Sequence, residues 1–252
     1  MDLSSRIDWQ FFTVDIELSG SIVADAEPDP GILMCSGSAW YHVSAEDYDE
    51  EDYPEPEQAP QWDAAVAKGY AFSLRNQDDD FAQWQVLTMC GVIVDPYLAS
   101  GSIPDELDGM SADYGSLARL FSGNELHPDL LDMIEGAGTR AILIDRANLA
   151  VAWRGFGGVG RLLISRILRM VSTFDTAVVA TIPFPIDLYK ECESPGDIDQ
   201  HPHFDEELRR VRRTWESIGF RQYKGEIWVM DPAKVHHDDA VRQIEARLPG
   251  RL

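Results

Sequence analysis

Residues 139–182 hold the run of sequence that most constrains this chain. TRAILIDRANLAVA has the apolar run of a strand over Arg140–Ala152, WRGFGGVG is a glycine loop, and a helix follows from about Gly160 to Ser172. The helix carries Leu163, Ile164, Ile167, Leu168 and Val171 as one apolar stripe, with Arg161, Arg166 and Arg169 elsewhere on its surface. A β-branched strand, Thr176–Ile182, comes next and runs into Pro183-Phe184-Pro185. Strand, glycine loop and helix in that order form an anion-binding arrangement. The first helical turn leaves backbone N–H groups without partners, the helix dipole favours negative charge there, and glycine lets a ligand approach the backbone.

The spacing Gly155-x-Gly157-x-x-Gly160 also matches the dinucleotide fingerprint. That reading asks for an acidic residue at the end of the next strand and for a second half of a doubly wound sheet. Asp175 stands before that strand, and about seventy residues follow it, too few for the second half. The charge distribution gives a separate constraint. The chain carries 44 acidic and 21 basic residues, a net charge of −23. Such a chain is repelled by a nucleic-acid backbone or an anionic membrane. Yet more than half of its Lys and Arg lie between Arg146 and Lys224, whereas residues 1–60 hold Arg6 alone. A local cationic face on an anionic protein suits capture of a small, multiply charged anion.

The rest of the chain reads as one α/β domain over residues 1–252, with the phosphate-loop core at about 140–232. Strand-like runs span Phe11–Leu18, Ile32–Val43 and Gln83–Val94. Ser116–Glu135 has helical spacing, Asp205–Ser217 is a helix buried through Leu208, Val211, Trp215 and Ile218, and short strands at about Phe220–Tyr223 and Glu226–Met230 follow. Residues 44–60, SAEDYDEEDYPEPEQAP, are acidic and aperiodic, as expected of a solvated insertion. Cys35, Cys90 and Cys192 are odd in number and widely spaced, which suggests reduced thiols in a cytoplasmic protein. The N-terminal residues lack a signal-peptide pattern, and no apolar run has the length to span a bilayer. The histidine pairs His201/His203 and His236/His237 lack the partners of a metal site, and no Gly-x-Ser-x-Gly element is present.

Leu149-Ala150-Val151-Ala152-Trp153-Arg154-Gly155-Phe156-Gly157, a strand end followed by an arginine and a glycine loop, resembles the GNAT superfamily of acyl-CoA-dependent N-acyltransferases. Trp215-Glu-Ser-Ile-Gly219-Phe220 resembles that superfamily's common Tyr-x-x-x-Gly-Phe element, and paired terminal strands follow it as expected. The likeness covers roughly residues 83–232. It departs from the pattern twice. The second small residue of the loop falls at Gly160 rather than Val159, so either the loop is one residue longer or Gly158 replaces an apolar residue. Trp215 stands where the superfamily often has a tyrosine that protonates the leaving thiolate.

The resemblance implies an α/β fold with a mostly antiparallel sheet flanked by helices, and acetyl-CoA or another acyl-CoA as co-substrate. It implies that backbone amides of Phe156, Gly157, Gly158, Val159, Gly160 and Arg161 hold the coenzyme A diphosphate. Arg154 and Arg161 would supply charge beside Gly155, and the pantetheine arm would pair with Leu149, Ala150 and Val151, where that strand splays from Thr176–Ile182. Acyl transfer to a primary amine in a ternary complex further requires a base, for which Asp145, His42 and Asp187 are the candidates. Tyr189 and Tyr223 are candidate substitutes for the missing acid. The acidic insertion could attract a cationic acceptor, and the aromatics Trp40, Tyr41, Trp62, Tyr70, Phe72 and Trp84 could line its pocket, although a core role is the plainer expectation. The competing expectation is a non-catalytic acyl-CoA sensor of the same fold, suggested by Trp215.

Overall fold

The structure is a computed structural model of the 252-residue chain. It describes residues 11–20, 29–44, 63–75, 81–155, 158–190, 192, 195–234, 239, 241–244 and 246. Nearly all of the acidic insertion, together with Trp62, Phe156, Gly157 and the pair His236/His237, therefore lies outside the described residues.

A mixed sheet organises the molecule. Its strands are β1 (Phe12–Ser19), β2 (Ile32–Ser44), β4 (Phe81–Val94), β7 (Arg140–Leu149), β8 (Thr176–Thr181), β10 (Trp228–Met230) and β9 (Arg221–Gln222), side by side in that order. A short β3 (Leu74–Arg75) adds to β4 at Trp84 and Gln83. Neighbouring strands are antiparallel except β7 and β8, which are parallel and joined through helix α5 (Val159–Val171). A parallel pair needs such a crossover, because no tight turn can return the chain to the same end of the sheet.

Apolar side chains cover both faces. On one face α5 buries Leu163, Ile164, Ile167, Leu168 and Val171, the stripe expected from the sequence, in a core shared with Ala39, Trp84, Leu87 and Ile142. The C-terminal turn of α6 (Phe204–Glu216) joins this core through Trp215, as does Ile218 just beyond it, while Leu208 and Val211 are only half-buried. On the other face α2 (Ile103–Met110) and α3 (Ala112–Leu117) bury Ile103, Leu107, Tyr114 and Leu117 against Val92, Leu143 and Val178. Burial at both faces explains why β8 is apolar throughout Ala177–Ala180 rather than alternating.

Two sequence expectations need correction. The helical spacing over Ser116–Glu135 does not give a helix. After α3 comes a 3-10 turn at Ala118–Leu120, then a small hairpin of β5 (Phe121–Ser122) and β6 (Glu125–Leu126), then the single turn α4 (Pro128–Leu131). The Gly123-Asn124 turn and Pro128 override the apolar period. The strand expected over Arg140–Ala152 stops at Leu149, and Val151–Trp153 form a 3-10 turn. The short α1 (Asp63–Ala67), the helix α2 and the 3-10 turns at Ile186–Lys190 and Pro195–Gln200 had no periodic signal in the sequence.

A buried carboxylate ties the start of β2 to the loop after β4. Asp29 accepts hydrogen bonds from the backbone N–H groups of Gly31 (2.7 Å), Ser100 (2.9 Å) and Gly101 (2.9 Å), and from the Ser100 hydroxyl (2.6 Å). Burial alone would raise its pKa, but these donors hold it below the ordinary carboxylate value. The folded pKa thus lies below the unfolded one, so its stabilisation is complete above about pH 4 and fades as pH falls through the folded value. Asp29→Asn is expected to lose stability at pH 7 and to show a shallower further loss towards pH 3 than wild type. Urea unfolding at both pH values measures this.

Candidate functional site

The strands β7 and β8 separate partway along. Their pairing runs from Arg140↔Thr176 to Ile144↔Thr181 and stops there, while β7 continues beside β4 to Leu87↔Leu149. Among the described residues, no strand pairs with β7 on its β8 side from Asp145 to Leu149. The separation begins at a β-bulge. Cys90 pairs with Arg146 and Gly91 with Ile144, so Asp145 is an extra residue on β7.

The gap opens into a cleft of about 700 Å³. One wall is β7 from Asp145 to Leu149, and the floor includes Leu87, Trp153 and Ile164. The glycine loop and the start of α5 contribute Arg154, Gly155, Gly158, Val159, Gly160 and Arg161. The facing wall is Thr181–Leu188, and α6 supplies Glu207, Arg210, Val211, Thr214 and Trp215. Four arginines (Arg146, Arg154, Arg161 and Arg210) face three carboxylates (Asp145, Asp187 and Glu207), a cationic excess in a chain whose net charge is −23.

Local chemistry shapes the loop. Gly158 is the residue before α5 and has φ +112°, and a Cβ there would come 2.8 Å from Arg161 Nη2. No L side chain occupies that backbone geometry without strain. A Cβ at Gly160 would lie 2.9 Å from Leu149 Cδ2, so this glycine lets the first turn of α5 pack against the end of β7. Packing against that strand therefore accounts for a small residue at 160. The loop is moored by Trp153, fully buried, whose Nε1 donates to the Tyr70 carbonyl (2.8 Å) and whose ring packs edge-on to Tyr41 and Phe12.

Asp145 lies at the point where the strands part. Its side chain is largely buried, 3.2 Å from Arg146 Nε, and accepts a long hydrogen bond from the Cys90 thiol (3.7 Å). Burial first, and then the Asp145 charge, push the Cys90 thiol pKa up, so the thiol stays protonated and serves as a donor. The Tyr114 hydroxyl is raised by burial and by the same charge. Asp145 is the carboxylate that borders the cleft where the two strands part.

Of the other sequence candidates, His42, Tyr189 and Tyr223 are placed elsewhere. The ring of His42 lies against the Gln83 amide (2.6 Å) on β2 and β4, outside the cleft. Tyr223 follows β9, packed against the second core with Lys224 over its ring, also outside it. Tyr189 is exposed beside Phe184 and does not line the cleft. Asp187 does line it, but Arg154 holds it in a two-point ion pair at 2.7 and 2.9 Å. Of the segment expected to receive the pantetheine arm, Leu149 lines the cleft while Ala150 and Val151 do not; the Ala150 N–H donates to the Val86 carbonyl. The free edge of β7 thus spans Asp145–Leu149 rather than the expected Leu149–Val151. Trp40, Tyr41 and Trp84 are buried, Tyr70 stacks on Trp84, and none of these lines the cleft. The bulge was missed altogether, and no sequence signal announces it.

Fold and site together define a mixed α/β protein with a cationic cleft between two diverging parallel strands. Comparison with protein families, characterised proteins and solved structures gives no match for this chain. Among the described residues, no helix is long and apolar enough to cross a membrane, and no group of three or more His, Cys, Asp or Glu side chains is placed to hold a metal ion.

Proposed function

We propose that this chain is an acyl-CoA-dependent N-acyltransferase of the GNAT type, with acetyl-CoA as the leading donor and a primary amine as acceptor. The observation that carries the reading is the separation of β7 from β8 beside a glycine loop that opens a helix. A long, flexible ligand with a charged end fits this shape. Its extended arm takes the unpaired edge of β7 from Asp145 to Leu149, and its diphosphate meets the N-terminus of α5 and Arg161. The two ends of one cleft then serve two chemistries.

In this reading the thioester lies at the bulge. The Asp145 carboxylate takes a proton from the amine as it attacks the thioester carbonyl, and a backbone N–H of the splayed strand meets the developing oxyanion. Trp215 fills the position beside the cleft with a buried indole, packed edge-on to Phe220 at 4.9 Å. An indole is no proton donor to a thiolate at neutral pH, so the coenzyme leaves as the thiolate or is protonated by water. That same residue favours the second reading, a non-catalytic acyl-CoA sensor.

Thermal-shift titration with acetyl-CoA, coenzyme A and NAD tests the ligand class. The first two should stabilise the protein, by about 2.7 kcal/mol at a hundred times the dissociation constant. A response to NAD alone sinks the proposal. Thiol release over a panel of amines then separates enzyme from sensor. Asp145→Asn is expected to lower turnover by roughly 10²–10⁴-fold with coenzyme affinity little changed; an unchanged rate would remove Asp145 from the chemistry.

A further inference from the structure

We infer that Arg154 and Asp187 form an electrostatic strap across the mouth of the cleft, and that Asp187 holds the site of an incoming phosphate until the ligand displaces it. This inference rests on the proposed reading of the cleft as a coenzyme A site. Arg154 sits between the 3-10 turn after β7 and the glycine loop, whereas Asp187 belongs to the segment that follows β8. The ion pair therefore joins the two sides of the gap that opens where β7 and β8 diverge.

The geometry is that of a fully used guanidinium. Both terminal nitrogens reach Asp187, and Nε donates to the Leu149 carbonyl at 3.0 Å. The last carbonyl of β7 is thus capped by the same side chain that is tied to the far wall. Arg154 cannot offer its fork to a phosphate in this state, because a carboxylate already fills it. Two oxygens of a tetrahedral phosphate can also engage the guanidinium fork, and a diphosphate brings more charge, so it can take over the guanidinium and release Asp187 from the strap. Asp187 is exposed and pays little to return to water. Arg161 is placed differently: it lies over Gly158 and donates to the Ser217 hydroxyl at 3.2 Å, on the helix side of the loop. Ligand capture in this arrangement begins at Arg161 and the first turn of α5 and finishes with the exchange at Arg154.

An internal competitor lowers apparent affinity by the fraction of time it occupies the site. Removing its charge therefore tightens binding, whereas removing a merely structural ion pair leaves binding unchanged or weakens it. Calorimetric titration with coenzyme A, and separately with inorganic pyrophosphate, should show Asp187→Asn binding both ligands about three- to fivefold more tightly than wild type, the scale of an exposed ion pair. Asp187→Glu, which keeps the charge, should bind like wild type. Raising salt should narrow the difference between wild type and Asp187→Asn, since it weakens the strap as well as the ligand's own contacts. Binding by wild type with Asp187→Asn no tighter would overturn the strap and leave the coenzyme reading standing. Binding by Asp187→Asn alone would support the strap in its strongest form. Failure of all variants to bind either ligand would overturn the strap and the coenzyme reading together.

Discussion

A Gly158→Val variant is expected to bind coenzyme A roughly a hundredfold more weakly than wild type while remaining folded. Gly158 sets the backbone direction into α5 with φ +112°, and a β-branched residue at that angle costs on the order of 1–3 kcal/mol. A Cβ there would also come 2.8 Å from Arg161 Nη2 and 3.0 Å from Ile244 Cγ2, so the Arg161 side chain must swing aside while the strained φ distorts the turn. Such strain would misalign the N–H groups to which the proposed function assigns diphosphate capture. Calorimetric titration gives the affinity, and far-ultraviolet circular dichroism reports whether the fold survives. Wild-type affinity in this variant would mean that the ligand does not approach the turn before α5.

Trp153→Ala carries the largest expected cost in stability, about 3–5 kcal/mol. The side chain is fully buried, packs against Tyr41 and Phe12, and donates through Nε1 to Tyr70. Truncation leaves a cavity between the loop and the first two strands, and it orphans a carbonyl. For a chain of this size the melting temperature should fall by roughly ten degrees. Trp153→Phe keeps the ring but loses the donor, and it should fall between the two. Coenzyme affinity should decline in step with melting temperature, because Trp153 anchors the loop from beneath. A melting curve within a degree or two of wild type would show that the mooring lies elsewhere.

The sequence made the long, strongly patterned elements legible. The stripe on α5 and the β-branched run of β8 follow from local composition, and both occur within a residue or two of the expected limits. Ser116–Glu135 misled because its apolar spacing is shared between three short pieces that reach the same core by separate turns. Only the turn chemistry at Gly123-Asn124 and Pro128 separates them. α2 was invisible for a related reason: two buried positions, Ile103 and Leu107, are too few to make a period.

The site divides the same way. Gly155, Gly158, Gly160, Arg154, Arg161 and Asp145 all reach the cleft, and each lies within or beside the strand–loop–helix run, where neighbours in sequence are neighbours in space. His42, Tyr189 and Tyr223 were chosen by residue type, and nothing in the sequence said which end or face of the sheet they would occupy. The contribution of α6 through Glu207, Arg210 and Thr214 was likewise hidden, because it depends on how that helix lies across the gap. The ion pair between Arg154 and Asp187 spans 33 residues and joins two residues that had been assigned to different tasks.

The extra residue at Asp145 divides β7 into stretches with unequal tolerance of substitution. From Ala141 to Ile144 every side chain is enclosed, and each substitution must satisfy its surroundings on that face. Beyond the insertion, Asp145–Leu149 borders open space along one side. Substitutions along that half of the strand are expected to reshape the cleft wall while leaving the enclosed half of the sheet intact.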